Sequence, residues 1–148
     1  MNNERAWVAT KKGLFELRLH GGLWGIVRSN FLGEPVTMLL PPAAGDGRML
    51  ASLSTGHYGT KLHASDDAGQ NWHEVATPTY PTQPEGAAGP EWKLVQLWSL
   101  EQARGTVWAG TLPGGLFRSE DFGRSWSLVE SLWNRPERLE WFGGGYPV

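Results

Sequence analysis

The sequence predicts an all-β fold built from repeated small antiparallel sheets. Short apolar runs alternate with turn residues, and 20 glycines and 10 prolines punctuate the 148 residues. Helical periodicity is scarce, whereas short strands bounded by glycine are typical of all-β chains. The nine tryptophans indicate the same class, because aromatic side chains fill the space between sheets in periodic β structures.

A repeated motif divides the chain into units. The pattern S-x-D-x-G-x-x-W occurs as "SDDAGQNW" at residues 65–72 and as "SEDFGRSW" at residues 119–126. A degenerate copy lies in "GLFELRLHGGLWGIV", where Gly21 and Trp24 are kept and leucines replace the serine and the aspartate. The tryptophans that end the three copies are spaced by about 50 residues, a repeat length found in propeller blades.

Each unit is predicted to contain up to four short strands, named A to D. The segments "AWVATKKGLF", "MLASLSTGHYGTKLH" and "VWAGTLPGGLF" predict strands B and C, and the motif then occupies the C–D hairpin. The runs "VTMLLPP" and "VQLWSLEQ" predict strand A of the second and third units, whereas no such run precedes the first. A four-stranded unit of this length is a blade of a β-propeller.

The whole chain is therefore predicted to be one partial propeller domain, residues 1–148, with about three four-stranded antiparallel blades. The blades are expected at residues 4–30 (strands B to D, without the inner strand), 35–79 and 92–132, and residues 133–148 connect to a further blade. Propellers have roughly 4–8 blades, and repeat units do not bury their faces without neighbours. We expect an N-terminal portion of a longer propeller, or a chain that self-associates to close one.

The motif residues are predicted to shape a turn and pack a sheet. An aspartate can accept hydrogen bonds from nearby backbone N–H groups, a glycine allows positive φ, and a tryptophan can pack against the next blade. The degenerate copy lacks the acid yet keeps glycine and tryptophan, which favours this structural role over catalysis or metal binding. The residues concerned are Ser65, Asp67, Gly69, Trp72, Ser119, Asp121, Gly123 and Trp126.

Composition excludes several classes of function. The net charge of -2 and the pI near 6.1 provide no basic field for nucleic acid or an acidic membrane surface. There are no cysteines, no apolar run of about 18 residues and no signal-peptide pattern, so a cytoplasmic location is expected. No spacing of His, Asp and Glu is specific for a metal site, and no cofactor is predicted.

A candidate site follows from the alternation of the strands. The A–B and C–D turns share one end of the propeller, with the motifs, and the B–C and D–A loops share the other. Long loops on a rigid scaffold commonly carry sites, and those at the second end are rich in charged and aromatic residues. The catalytic candidates are Glu34, His57 and Glu140, and the substrate-binding candidates are Tyr58, Lys61, Trp92, Trp133, Arg135 and Arg138.

Several of these residues also have a structural interpretation. Trp92 and Trp133 would fill the space between blades, His57 would cap a turn, and Arg135 and Arg138 would form surface ion pairs. A mouth lined by tryptophans, carboxylates and cations suits a carbohydrate, because the rings stack on sugar faces while charged groups bind hydroxyls. A protein ligand is the other class considered.

The two complete motifs resemble the Asp box, or bacterial neuraminidase repeat, of sialidase-like β-propellers. The phrases "TKKGLFEL", "FLGEPV", "STGHYGTKLHASDDAG" and "GTLPGGLFRSEDFG" resemble bacterial proteins described as exo-α-sialidase-like or glycosyl-hydrolase-like. The resemblance implies a glycosidase, but the Arg-Ile-Pro tripeptide usual in sialidases is absent from this sequence. Enzymatic activity is left open, and the alternatives are a non-catalytic propeller that binds glycans or proteins, or a fragment without activity.

Overall fold

The computed structural model describes residues 4–143 and 146–147, with the side chains of residues 4–141. Over the described residues, three antiparallel sheets of three or four strands follow one another and a two-stranded sheet comes after them, which confirms the all-β class. The first sheet has three strands in the order β1-β2-β3. These are β1 Arg5–Thr10, β2 Gly13–His20 and β3 Leu23–Asn30.

The second and third sheets have four strands each, in chain order from one edge to the other. In both, the first strand is antiparallel to the second and carries a bulge, after Val36 and after Leu97 respectively. The second sheet comprises β4 Val36–Leu40, β5 Met49–Ser54, β6 Thr60–Ser65 and β7 His73–Val75. The third comprises β8 Gln96–Ala103, β9 Thr106–Leu112, β10 Gly115–Ser119 and β11 Ser127–Leu128.

Tight turns connect the strands within each sheet. Gly21 and Gly22, between β2 and β3, have φ of 58° and 81°, the two successive positive values that a type I′ hairpin turn requires. The strands after the two complete motifs begin at His73 and Ser127, directly after the motif residues Trp72 and Trp126. The tryptophans therefore end the turns and do not start the strands.

The cores lie between successive sheets. Leu14, Val36, Ala51 and Leu53 are buried between the first and second sheets. Between the second and third, a larger cluster includes the fully buried residues Leu50, Leu62, Leu97 and Val107, with Phe117 at 1% exposure. Burial of a leucine side chain contributes about 2 kcal/mol, so these two interfaces hold the stack together.

The first sheet leaves one apolar face uncovered within the described residues. Val8 is 42% exposed and Ile26 is 64% exposed, and both point away from the second sheet. The position equivalent to Val8 in the second sheet is Ala51, which faces the first sheet and is fully buried. In the second sheet, the equivalent face packs against the sheet that precedes it along the chain.

Short helical elements follow the third sheet. Helix α1 spans Glu130–Trp133, a 3₁₀ turn spans Pro136–Glu140, and β12 Phe142–Gly143 pairs with β13 Tyr146–Pro147. The 3₁₀ turn and the β12–β13 pair fall within the predicted connection at residues 133–148, whereas α1 begins earlier, at Glu130. Residues 144, 145 and 148, like residues 1–3, lie outside the described residues. Within the described part of the chain, no helix has the length and apolar character needed to cross a membrane.

Candidate functional site

The first complete motif forms a turn closed by its own aspartate. Asp67 Oδ1 accepts hydrogen bonds from the backbone N–H groups of Gln70 and Asn71, at 3.0 and 2.8 Å. Its Oδ2 accepts one from Asn71 Nδ2 at 2.7 Å. Ser65 Oγ donates to Asp67 Oδ1 and accepts from the Gly69 N–H at 2.9 Å. Every polar atom named here bonds within the turn.

The second complete motif repeats this geometry. Asp121 Oδ1 accepts from the Ser125 N–H and from Ser119 Oγ, both at 2.8 Å, and Oδ2 accepts from Ser125 Oγ at 2.6 Å. The Gly123 N–H donates to Ser119 Oγ at 2.7 Å. In both motifs the aspartate accepts hydrogen bonds within its own turn, and its carboxylate thereby closes that turn.

These hydrogen bonds keep the two carboxylates ionised. The backbone N–H and the side chain of Asn71 lower the pKa of Asp67 to about 2. The hydroxyl and the backbone N–H of Ser125, followed by the Ser119 hydroxyl, lower the pKa of Asp121 to about 2. A carboxylate with so low a pKa is a poor general acid or base near neutral pH. No group of three or more His, Cys, Asp or Glu residues that could hold a metal is found over residues 4–141.

Each motif turn also contacts the preceding sheet. The Ala68 carbonyl oxygen accepts hydrogen bonds from Arg5 Nη2 and Arg28 Nη1, at 3.1 and 3.0 Å. In the next repeat, the Arg48 guanidinium lies 4.5 Å from the centre of the Phe122 ring. The motifs therefore join one sheet to the one before it.

The two motif tryptophans lie at the same inter-sheet position with different polar contacts. Trp126 Nε1 donates to the Ala76 carbonyl oxygen at 2.9 Å, which links the third sheet to the end of the second. Trp72 packs edge-on against Phe31, with ring centres 5.1 Å apart, and its buried Nε1 has no partner among the described residues. Both rings fill space between sheets.

The structure places the three catalytic candidates in separate loops. Glu34 lies between β3 and β4, His57 in a 3₁₀ turn at Gly56–Tyr58, and Glu140 at the end of the turn Pro136–Glu140. All three are exposed, and no hydrogen bond or ion pair joins any two of them. The structure therefore does not assemble them into a buried acid–base pair.

Two of the predicted binding residues also lie at the surface. Tyr58 is 83% exposed, and Lys61 donates from Nζ to Glu74 Oε1 at 2.7 Å. Lys61 is thus held by a surface ion pair within the second sheet. Neither side chain lines the groove between β4 and β8 that is described below.

The remaining binding candidates, apart from the exposed Arg135, form an aromatic cluster at the end of the third sheet. The Trp133 ring is buried, and its centre lies 5.0 Å from that of Trp92, with the two planes nearly perpendicular at 80°. Arg138 is 6% exposed, and its Cζ lies 3.7 Å above the Trp133 ring. The expectation of a surface ion pair is wrong for Arg138, because burial removes it from the surface and no carboxylate pairs with it over residues 4–141.

Tyr80 belongs to this cluster although sequence reasoning did not select it. Its ring lies 5.2 Å from Phe117 and 5.0 Å from Trp133, and its hydroxyl bonds to Thr111 Oγ1 and to the Pro113 carbonyl. Burial raises the pKa of Tyr80 to about 12, so the hydroxyl stays protonated. Tyr80 lies in a proline-rich connection without strand periodicity, and no pattern there marks it as buried.

An open groove of about 710 Å³ lies between the inner strands of the second and third sheets. Its walls come from β4 with the turn after it and from β8 with the turn after it. The groove is at the end of the stack that carries the motifs, opposite the end predicted to hold the site. Its lining residues are Met38, Leu39, Leu40, Pro41, Pro42, Ala43, Asp46, Ser99, Leu100, Glu101, Gln102, Arg104 and Gly105.

The charged residues of the groove are few and partly paired. Asp46 accepts from Arg48 Nε and Nη2, with the shortest distance 2.7 Å, and the hydrogen bonds of Arg48 lower the pKa of Asp46. Glu101 lies on β8 opposite Trp108, and Arg104 lies in the following turn. None of the three catalytic candidates lines this groove. It therefore offers a mixed apolar and polar binding surface without a close pair of free carboxylates.

Solved structures match this architecture at low sequence identity. A structure described as "YCF48 bound to D1 peptide" superposes with a TM-score of 0.55 at 16% identity, over 86% of this chain and 37% of the other. YCF48 is a β-propeller protein. The chain is a partial β-propeller. A second structure, "YCF48 from Cyanidioschyzon merolae", gives a TM-score of 0.47 at 14% identity, over 91% of this chain and 37% of the other.

The propeller match concerns the fold alone. The chain spans about 37% of the length of both YCF48 structures. No protein-family model and no curated protein matches the sequence. The predicted partial propeller is confirmed, whereas the finer resemblance to sialidase-like Asp-box proteins stays a prediction.

Proposed function

We propose that the chain is a non-catalytic propeller scaffold that binds a segment of another protein in the groove between β4 and β8. The observation that carries the proposal is the lining of this groove. Leu39, Leu40 and Leu100 provide an apolar floor, and Glu101 and Arg104 provide one charge of each sign at its rim. Recognition surfaces for protein segments commonly combine an apolar centre with a polar rim.

The strand edges in the groove add a second kind of contact. β4 pairs only with β5 and β8 pairs only with β9, so each has one open edge within the described residues. An extended peptide can add hydrogen bonds to such an edge while its side chains enter the groove. The groove volume of about 710 Å³ lies within the range of ligand-binding pockets. The groove can therefore hold a peptide segment of a few residues.

The comparison with solved structures supports a protein ligand as a class. One of the matching propellers is described as bound to a peptide, D1, and that description concerns YCF48. At 16% identity, neither that ligand nor its site transfers to this chain. The propeller fold is compatible with protein binding, and the groove supplies the local reason for proposing it here.

A glycosidase of the sialidase-like type is the second candidate, carried by the resemblance of the motifs. Most glycosidases need two carboxyl groups on either side of the scissile bond, roughly 5–10 Å apart. Glu34 and Glu140 are exposed on separate loops, and no contact joins them. The carbohydrate hypothesis therefore has less support from geometry than the protein hypothesis.

The experiment that tests the proposal starts from a library of random peptides displayed on phage, selected on the 148-residue chain. Hydrogen exchange of the chain with and without a selected peptide then locates the site. We expect protection at residues 38–43 and 99–105. Failure to select any peptide, or protection confined to other segments, would contradict the proposal.

A panel of glycosides tests the alternative on the same protein. We expect no turnover. Turnover that is lost in Glu34→Gln or Glu140→Gln would support the glycosidase and overturn the non-catalytic proposal.

A further inference from the structure

Arg138 is a buried cation without an anion among the described residues. Its side chain belongs to the 3₁₀ turn at residues 136–140 and is 6% exposed. The guanidinium stacks on Trp133, and its Nε donates to the Trp133 carbonyl oxygen at 3.0 Å. These contacts hold the group in place, but they supply no negative charge.

Part of the guanidinium has no hydrogen-bond acceptor. Arg138 Nη1 is buried and bonds to no other described residue. Burial lowers the pKa of Arg138 without depriving the group of its charge near neutral pH. An unpaired buried charge costs several kcal/mol, so native structures seldom keep one unless something else binds to it.

A second buried donor borders the same ring. Trp92 packs on Trp133 with ring centres 5.0 Å apart, and its Nε1 also lacks an acceptor over residues 4–141. The hydroxyl of Tyr80, which contacts the same ring, is already bonded to Thr111 and to the Pro113 carbonyl. Two buried donors that border Trp133 therefore have no acceptor among the described residues.

The loop of residues 81–91 leads directly into Trp92 and borders this cluster. Gln83 Oε1 accepts from the Trp92 N–H at 3.0 Å, and Gln83 Nε2 donates to the Pro90 carbonyl oxygen at 3.3 Å. The loop touches the turn of Arg138, since a Cβ added to Gly89 would lie 3.1 Å from Leu139 Cδ2.

We propose that Arg138 and Trp92 form a carboxylate-binding site beside the loop of residues 81–91. A carboxylate is the anion whose planar geometry matches the guanidinium fork, and its second oxygen suits an indole N–H. The site lies at the end of the stack opposite the groove, so it is independent of the proposed function. Its ligand is a small acid or the acidic group of a partner.

The test is an NMR titration of the chain with sodium acetate, against sodium chloride at equal ionic strength. We expect a saturable shift of the Arg138 Nε–H and Trp92 Nε1–H signals with acetate only. The shift should be retained in Arg135→Gln, whose exposed arginine lies three positions earlier on the same segment. In Arg138→Lys the affinity should fall about tenfold, because an ammonium lacks the bidentate fork.

Three outcomes would overturn the site. In the first, acetate shifts the Arg138 and Trp92 signals no more than chloride does. In the second, the affinity for acetate is unchanged in Arg138→Lys. In the third, neither signal moves, because buried water alone occupies the two donors. If Arg138→Lys does not fold, Trp92→Phe provides the same comparison through the Arg138 signal. N-acetylalanine and N-acetylaspartic acid α-amide then distinguish a chain-terminal from a side-chain carboxylate of a partner, and saturable binding of acetate with competition by neither supports a small free acid as the ligand.

Discussion

The carboxylate oxygen Oε1 of Glu16, on β2, lies 2.8 Å from Nε of Arg5, on β1. The side chain of Glu16 is only 1% exposed. Arg18 Nε lies 3.0 Å from the same oxygen, and Arg28 Nη1 lies 3.4 Å from the other. Arg5 and Arg28 also donate to the Ala68 carbonyl of the next sheet. Glu16 therefore orients the two arginines that join the first sheet to the first complete motif.

Replacement of Glu16 by Gln is expected to destabilise the chain. Removing one partner of a buried ion pair costs roughly 3–5 kcal/mol, and the partial exposure of the arginines reduces this to about 2 kcal/mol here. Urea unfolding followed by tryptophan fluorescence measures the change. The matched control is Glu74→Gln, which breaks the exposed surface pair with Lys61 and should change the free energy of unfolding much less. Equal costs for both variants would contradict this role of Glu16.

The burial of Glu16 also shows what sequence reasoning could not predict. In "GLFELRLH", Phe15, Leu17 and Leu19 alternate with Glu16 and Arg18, and alternation of this kind is typical of a strand whose apolar side chains face a core. The structure instead turns the Glu16 face toward the second sheet, because Arg5 and Arg28 from neighbouring strands neutralise the acid there. Partners supplied by other strands are invisible in the periodicity of one strand.

The fold was predictable where local chemistry sufficed. The positions of Gly21 and Trp24 identified the degenerate first sheet, and the motif residues identified the hairpins of the other two. The predicted site residues followed loop length and side-chain type, and their role stays a prediction. Arg138 and Tyr80 are buried through contacts with Trp133 that no spacing indicates, and the groove arises from the approach of β4 and β8.

Replacement of Asp67 by Asn should remove a pH-dependent contribution to stability. The folded pKa of about 2 lies below the ordinary value of 3.8, so this contribution is present above roughly pH 4 and is lost as the pH falls toward 2. We expect the difference in Tm between the wild type and Asp67→Asn to be largest near pH 5 and to shrink at pH 2. Melting curves followed by circular dichroism across this range measure it.

The control for this experiment is the neighbouring Asp66→Asn. The side chain of Asp66 is exposed and makes no hydrogen bond that closes the turn. The substitution Asp66→Asn should therefore leave the pH dependence of the Tm unchanged. A profile for Asp66→Asn like that of Asp67→Asn would show that net charge, and not the turn, is responsible.

Gly123→Ala should cost more than Gly86→Ala although both glycines have positive φ, 85° and 74°. A Cβ at Gly123 would lie 3.2 Å from two Leu50 carbon atoms, whereas one at Gly86 meets nothing within 4 Å. The backbone strain is about 1 kcal/mol in both, and crowding against Leu50 adds about 1–2 kcal/mol in Gly123→Ala. Urea unfolding compares the two, and equal losses would mean that the third sheet does not pack on the second through this turn.

The groove between β4 and β8 is tested most directly by the affinity of a selected peptide for Ala43→Trp. Ala43 is an exposed lining residue of the groove, and Ala88→Trp places the same side chain on an exposed alanine outside it. Fluorescence polarisation of a labelled peptide measures both. If a protein segment binds in the groove, we expect the peptide Kd to rise at least about tenfold in Ala43→Trp, a loss of roughly 1.4 kcal/mol, and to stay unchanged in Ala88→Trp. An unchanged Kd in Ala43→Trp, with the variant folded, would contradict the account.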